Sequence, residues 1–444
     1  MSDESLLPFL SQFDPPETAE GSLDPLGFYS IADALGVKLA PGVRERQSKP
    51  RYLTLALVGM LACSDLEAPH RSIKSLAPWL VYEWLIVESL VRELQNTPAL
   101  KGIPGQSKVL DAINAKEFVC DRNYLRTPTV FGFHGIYRVL GLKLGLFDVG
   151  GQPLQGGYRV LSAWQSDQKM QGFVDGSGPG QAFRQLIEKA VRTGLDAGHA
   201  RDPGPKFREF VVQHLAPRQP GELEREALWN ALTQHHGLRG EYAQLLTSAD
   251  GQKFWTKDGS NESTLHRWML PYASQALTQL LVAIQAFERL ARLLTDAFDE
   301  MRYRMTEERS AVDAAWLANG ECVLRASHEC LPAFQDALRE LGVIDPALRT
   351  RLDKALQWIG DATNPEGFSN ELLAHHSRIQ QAKPPSGKRP WLDAYSNGRV
   401  AIRPAYTVGK FETLTDIYVQ AYRTVPLQSF ALDLKRVVVT EAST

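Results

Sequence analysis

The chain has 444 residues, enough for about three domains by length alone. Its 43% hydrophobic and 23% charged residues exclude wholesale disorder. With 49 Lys and Arg against 51 Asp and Glu, and a net charge of -2, it does not coat nucleic acid by bulk charge, so any such contact has to be a local basic patch.

Cys63, Cys120, Cys322 and Cys330 are scattered, which fits a reduced, cytoplasmic protein. The opening MSDESLLPFL lacks a basic stretch followed by an apolar one and does not read as a signal peptide. No run reaches the ~18 apolar residues of a membrane span. The run over 53–63 is too short, and 80–91 is broken by Glu83 and Glu88. A soluble chain with no membrane partner is expected.

In chain order, 1–27 is an acidic tail carrying Asp3, Glu4, Asp14, Glu17, Glu20 and Asp24, suited to solvent or to a partner. Residues 28–100 form a helical region with a basic loop, where Arg44, Arg46, Lys49 and Arg51 face only Glu45. Such a cluster can meet phosphate or an acidic protein surface. Helices are predicted over 52–63 and 79–94, the second with Leu80, Trp84, Val87, Leu90, Val91 and Leu94 on one face.

Residues 101–165 read as winged-helix-like: a helix in GQSKVLDAINAKEFV, a second in FGFHGIYRVLGLKLGLFD, then YRVLSAW between glycines as a β-ribbon. The second helix would expose His134, Arg138 and Lys143 while Ile136, Val139, Leu140, Leu142 and Leu144 pack inward. Gly132 and Gly135 are poor residues for its start. Residues 166–260 hold linkers and helices. GFVDGSGPG lacks the GK[ST] ending of a phosphate loop and reads as a linker, as does 199–206. Helices are predicted over 181–197, 222–232 and 240–246, with His235 and His236 near a helix C-terminus and 260–263 as a capping segment.

The region 261–372 is a helical bundle around one long helix that starts near Leu265 and passes Tyr303. Leu277, Leu280, Leu281, Ile284, Phe287, Leu290, Leu294, Phe298 and Met301 recur at steps of three and four, leaving Glu288, Arg289, Arg292, Asp296 and Glu300 for water. A kink is predicted over 306–310 unless the helix runs on as a spine. Helices over 322–341 and 346–359 follow, the first holding Cys322, His328 and Cys330; the two cysteines read as helix-core thiols, and the set not as a zinc half-site.

Residues 373–444 comprise a basic loop, a hairpin and a C-terminal segment, after a helix over 369–381. Arg378, Lys383, Lys388, Arg389, Arg399 and Arg403 are opposed only by Asp393, with Trp391, Tyr395 and Tyr406 interleaved, and Asn397-Gly398 turns a small hairpin into Val400 and Ile402. Cations and aromatics on a rigid loop suit a nucleic-acid backbone with stacked bases. Glu371 and His375 share a helix face beside His376, the only arrangement that hints at a metal-dependent hydrolase. HExxH, GxSxG and Walker motifs are absent from the sequence.

Three blocks, LAPGVRERQSKPRYLTLAL, FGFHGIYRVLGLKLGLFD and LLAHHSRIQQAKPPSGKRPWLD, resemble a group of large uncharacterised bacterial proteins associated with anti-phage defence islands. The resemblance implies a defence context and partnership with an ATPase or nuclease. Together the readings predict a mostly α, multi-helix assembly with a winged-helix-like segment and a small C-terminal β-hairpin. The expected role is a non-enzymatic nucleic-acid-binding or adaptor subunit, DNA first, touching its ligand through Arg44, Arg46, Lys49, Arg51, Arg138, Lys143 and the 378–403 residues. A protein-only scaffold with an acidic partner, or the metal-dependent hydrolase, are the alternatives, and no cofactor is implied.

Overall fold

The computed structural model describes residues 24–66, 76–95, 97–218, 220–233, 237–255, 262–384, 387–413 and 416–437. Most of the acidic tail, the pair His235 and His236, and Ser260 lie outside these residues. Among the described residues the chain is mostly helical. The first helices are α1 (Tyr29–Leu39), α2 (Tyr52–Ala62), α3 (Pro78–Leu94), α4 (Gln106–Asn114), α5 (Pro128–Phe131) and α6 (Phe133–Lys143). Next come α7 (Gln155–Asp167), α8 (Gly178–Ala197), α9 (Pro205–Leu215), α10 (Glu222–Thr233), α11 (Leu238–Thr247) and α12 (Glu262–Met269). The last are α13 (Gln275–Glu308), α14 (Ala314–Leu317), α15 (Glu321–Ile344), α16 (Pro346–Leu356), α17 (Pro365–Gln381) and α18 (Thr424–Asp433). None is long and apolar enough to cross a membrane.

The chain divides into two units, each built from two stretches: Met1–Leu35 with Thr278–Ala421, and Gly36–Leu277 with Tyr422–Thr444. In the second unit α3 is buried on all sides from Val81 to Val91, where one apolar face was predicted. It packs against α4, α8 and α9, so Glu83 and Glu88 are buried too and need partners. Glu88 pairs with Arg92 at 2.7 Å. Glu83 accepts hydrogen bonds from the Tyr124 hydroxyl and the His134 amide, both at 2.9 Å.

That last bond explains a glycine. The residue before α6 is Gly132, which has no side chain to cap the helix, and a Cβ there would sit 1.9 Å from Glu83 Oε1. The helix start therefore uses a carboxylate brought from α3 in place of a local cap.

The long helix α13 runs for 34 residues and belongs to the first unit from Thr278 on, with Leu280, Leu281, Ile284, Phe287, Leu290, Leu294, Phe298 and Met301 all buried, as the spacing predicts. Its limits differ from the sequence reading. The residues near Leu265 form the separate helix α12, because Pro271 has no amide hydrogen to continue a helix. The C-terminal end falls at Glu308, followed by Arg309 at φ 56, inside the charged patch where a kink was predicted.

Three acids expected in water on α13 are buried instead. Glu288 accepts the amide of Val419 at 2.5 Å, and Asp296 pairs with Arg292 and Arg325 at 3.2 and 3.1 Å. Glu300 accepts the amides of Glu321, Cys322 and Val323 at 2.9, 2.8 and 3.1 Å, the open start of α15. Gly320 precedes α15 without a side-chain cap, and a Cβ on it would lie 2.4 Å from Glu300 Oε2.

The C-terminal hairpin forms as predicted. Strand β1 (Leu392–Ala394) pairs antiparallel with β2 (Val400–Ile402), Leu392 opposite Ile402, and Gly398 turns at φ 78. The winged-helix reading is corrected. The ribbon expected in YRVLSAW is the helix α7, and only an isolated Phe147–Pro153 bridge precedes it. Gly157, Val160, Leu161 and Trp164 are its buried positions, a spacing of three and four that the flanking glycines disguised.

Glu300→Ala and Gly320→Ala should each lower stability in urea unfolding by about 2 kcal/mol, the cost of leaving buried amides unpaired. The double variant should cost clearly less than the sum, because both remove the same contact.

Candidate nucleic-acid interface

Two of the predicted basic clusters, about 90 residues apart in sequence, meet in the second unit. Gln47, buried at 1% exposure, donates through Nε2 to Gly42 O and Ile136 O, at 3.3 and 2.8 Å, and its Oε1 accepts the Arg44 amide at 3.0 Å. The Tyr137 hydroxyl accepts the amides of Ser48 and Lys49, at 2.9 and 2.8 Å. Tyr52 stacks on Phe133 and leans on Tyr137, with centroids 5.5 and 5.2 Å apart. The loop is thus laid along α6 by a side-chain amide and a phenol.

This packing decides which cations face out. Arg44, Arg46 and Lys143 are exposed, and Arg46 lies over the exposed ring of Phe131 at 4.7 Å. Arg46 and Lys143 form no ion pair among the described residues. Lys49 is half-buried and held by Asp433 at 2.6 Å. Arg138 is exposed and donates to Val149 O at 2.8 Å. The inward face of α6 is Phe133, Tyr137, Leu140 and Gly141, so Val139, predicted inside, is exposed, and His134 is half-buried against Trp79.

Arg51 cannot serve as a contact. It is fully buried, pairs with Glu224 at 3.1 Å, and donates to Ala216 O and His214 O. Burial raises the Glu224 carboxyl above its usual value and Arg51 draws it back. Such a pair fixes geometry more than it adds net stability, yet breaking it strands a buried charge.

No family model, curated protein or solved structure matches this chain. Assignment of the remaining candidates therefore rests on their surroundings.

The third cluster lies in the first unit and is largely structural. Trp391, at 6% exposure, stacks on Tyr406 at 4.8 Å and packs on Phe298 and His376, under the Arg302 guanidinium at 4.8 Å. It anchors the hairpin and has no face left for a base. Arg403, at 6%, donates to Pro390 O. Lys383 donates to Asp24 O at 2.9 Å, and Lys388 is half-buried. Arg378 and Arg389 are exposed in pairs with Glu371 and Asp393, and Arg399 is exposed at the hairpin turn.

The histidines of the hydrolase alternative are also committed to backbone. His375 Nε2 meets Leu26 O, and His376 Nδ1 meets Pro25 O, each at 2.9 Å, while His376 Nε2 accepts the Trp391 amide at 3.1 Å. Burial lowers the pKa of both imidazoles, that of His376 to about 4. Among the described residues no three His, Cys, Asp or Glu side chains are grouped to hold a metal. Cys322 and Cys330 are buried free thiols on α15, and His328 is exposed.

Residues that periodicity did not single out also shape this surface. Gln47 and Tyr137 orient the loop, and Asp433 of α18 holds Lys49; in sequence nothing marks a Gln or Tyr as a long-range bridge.

Arg51→Ala should cost about 4 kcal/mol in urea unfolding, whereas Arg46→Ala should cost less than about 1 kcal/mol. For His376, the unfolded state takes up a proton near pH 6.5 and the native state only near 4. Native stability is then lost as pH falls through that window. The loss should be up to about 3 kcal/mol smaller in His376→Gln, read by urea unfolding at each pH.

Proposed function

We propose that the chain is a nucleic-acid-binding or adaptor subunit of a bacterial multi-protein system, without catalysis of its own. Its contact surface is the loop carrying Arg44 and Arg46, together with Lys143 on α6. The observation that carries this reading is the packing of that loop on α6, which presents cations from two distant segments on adjoining elements. At a net charge of -2 for the whole chain, such local grouping is what phosphate binding requires. An exposed Phe131 under Arg46 adds an aromatic surface of the kind that tolerates any base. Arg389 and Arg399 of the hairpin form a lesser contact. The defence-island resemblance would make the partner an ATPase or nuclease.

A second reading, a scaffold that binds only protein, is favoured by exposed Val130, Phe131, Val139 and Val149 in the same stretch of the second unit. The two readings separate on salt dependence.

Labelled single- and double-stranded DNA and RNA should bind the purified protein with an affinity that falls steeply as salt rises from about 50 to about 200 mM. In Arg46→Glu/Lys143→Glu the slope of log K against log salt should drop by about 2 for duplex. Absence of binding at the lowest salt, or binding indifferent to that double reversal, would reject the reading and leave the scaffold.

A further inference from the structure

On another side of α6 from the basic loop lies a cleft of about 380 Å³, within the range of small-molecule sites. Its walls include Met60, Trp79, His134, Arg138, Gly151 and Gln152, and among the described residues no Asp or Glu lines it. The Trp79 and His134 rings stack on each other at 4.5 Å with 17° between their planes, so this stretch of the wall is aromatic. Burial, with Arg138 beside it, holds His134 neutral at about 4, so this wall is uncharged at physiological pH.

The charge in the cleft comes from arginine. Arg138 donates one nitrogen to Val149 O and makes no other hydrogen bond among the described residues, and Arg184 reaches Ser64, another lining residue, at 3.4 Å. Neither has a carboxylate partner among the described residues. Gly151 lets the 149–152 loop curl at φ 83. Burial, helped by Glu188, pushes the Cys63 thiol up to about 12, so this thiol is not a ready nucleophile.

We infer that this cleft binds a planar aromatic anion of the nucleoside phosphate class, its base against the stacked Trp79–His134 pair and its phosphate on Arg138. A guanidinium fork suits phosphate and an aromatic ring suits any base. The same chemistry is offered by a free nucleotide and by the phosphorylated end of a nucleic-acid strand. The site is separate from the loop surface, so it stands or falls independently of the proposed function.

The test is a calorimetric titration of the full-length protein with each of the four ribonucleoside monophosphates, and with a short single-stranded oligonucleotide with or without a 5′-phosphate. Saturable binding of the monophosphates, or of the phosphorylated oligonucleotide in preference to its unphosphorylated form, supports the site and identifies the source. Arg138→Gln should weaken it about tenfold or more. Trp79→Leu should do likewise, and the exposed position of Arg138 keeps the test valid if the tryptophan variant fails to fold. Arg46→Glu/Lys143→Glu should leave monophosphate binding unchanged. Lack of saturation by every probe, or full affinity in a folded Arg138→Gln protein, would overturn the inference.

Discussion

A helix that starts in a protein interior leaves amide groups with no acceptor, and in this chain acidic side chains from elsewhere supply them. Glu83 of α3 meets the start of α6, Asp167 of α7 meets the start of α10, and Glu300 of α13 meets the start of α15. Glu262 of α12 accepts the amides of Tyr422 and Thr424 where α18 begins, and Glu241 takes the Ser274 amide ahead of α13. Each bond brings a carboxyl group to the positive end of a helix dipole. It also fixes where one helix begins relative to another, a directional constraint that apolar burial alone does not provide.

The same requirement sorts the basic residues. An arginine that enters the interior is held by a carboxylate or by several carbonyls, as Arg51 is by Glu224, His214 and Ala216. Such a residue sets the frame. Those on the outer edge of that frame, Arg46 and Lys143, are exposed and form no ion pair among the described residues. Trp391 follows the rule for aromatics: with Tyr406, Phe298, His376 and Arg302 around it, the ring is part of the core that holds the hairpin.

Helix α6 has two roles within its unit. Tyr137 and the backbone of Ile136 hold the basic loop, while His134 and Arg138 line the cleft. Glu83 fixes the start of the helix, so the capping carboxylate also sets the position of His134, whose amide it receives. The seat of the basic loop and one wall of the cleft thus depend on one buried acid.

The sequence by itself determined the helical character, the buried stripe of α13 and the hairpin over 392–402, because apolar spacing and Asn-Gly turns are local signals. Most helix cores were legible for that reason, including 181–197 and 346–356. The α7 segment was misread because glycines flank it, and Gly157 serves close packing against Leu146, not a ribbon turn. Which charges are buried was not legible. Glu288, Asp296 and Glu300 occupy positions that a helical wheel assigns to solvent, and only neighbouring segments decide otherwise. Nor could the order of residues show that the 43–51 loop lies on α6, or that Arg51 and Arg403 point inward while Arg46 and Arg399 face out. Those outcomes rest on hydrogen bonds between residues tens to hundreds of positions apart, and a one-dimensional pattern carries no record of which distant acceptor a buried donor will find.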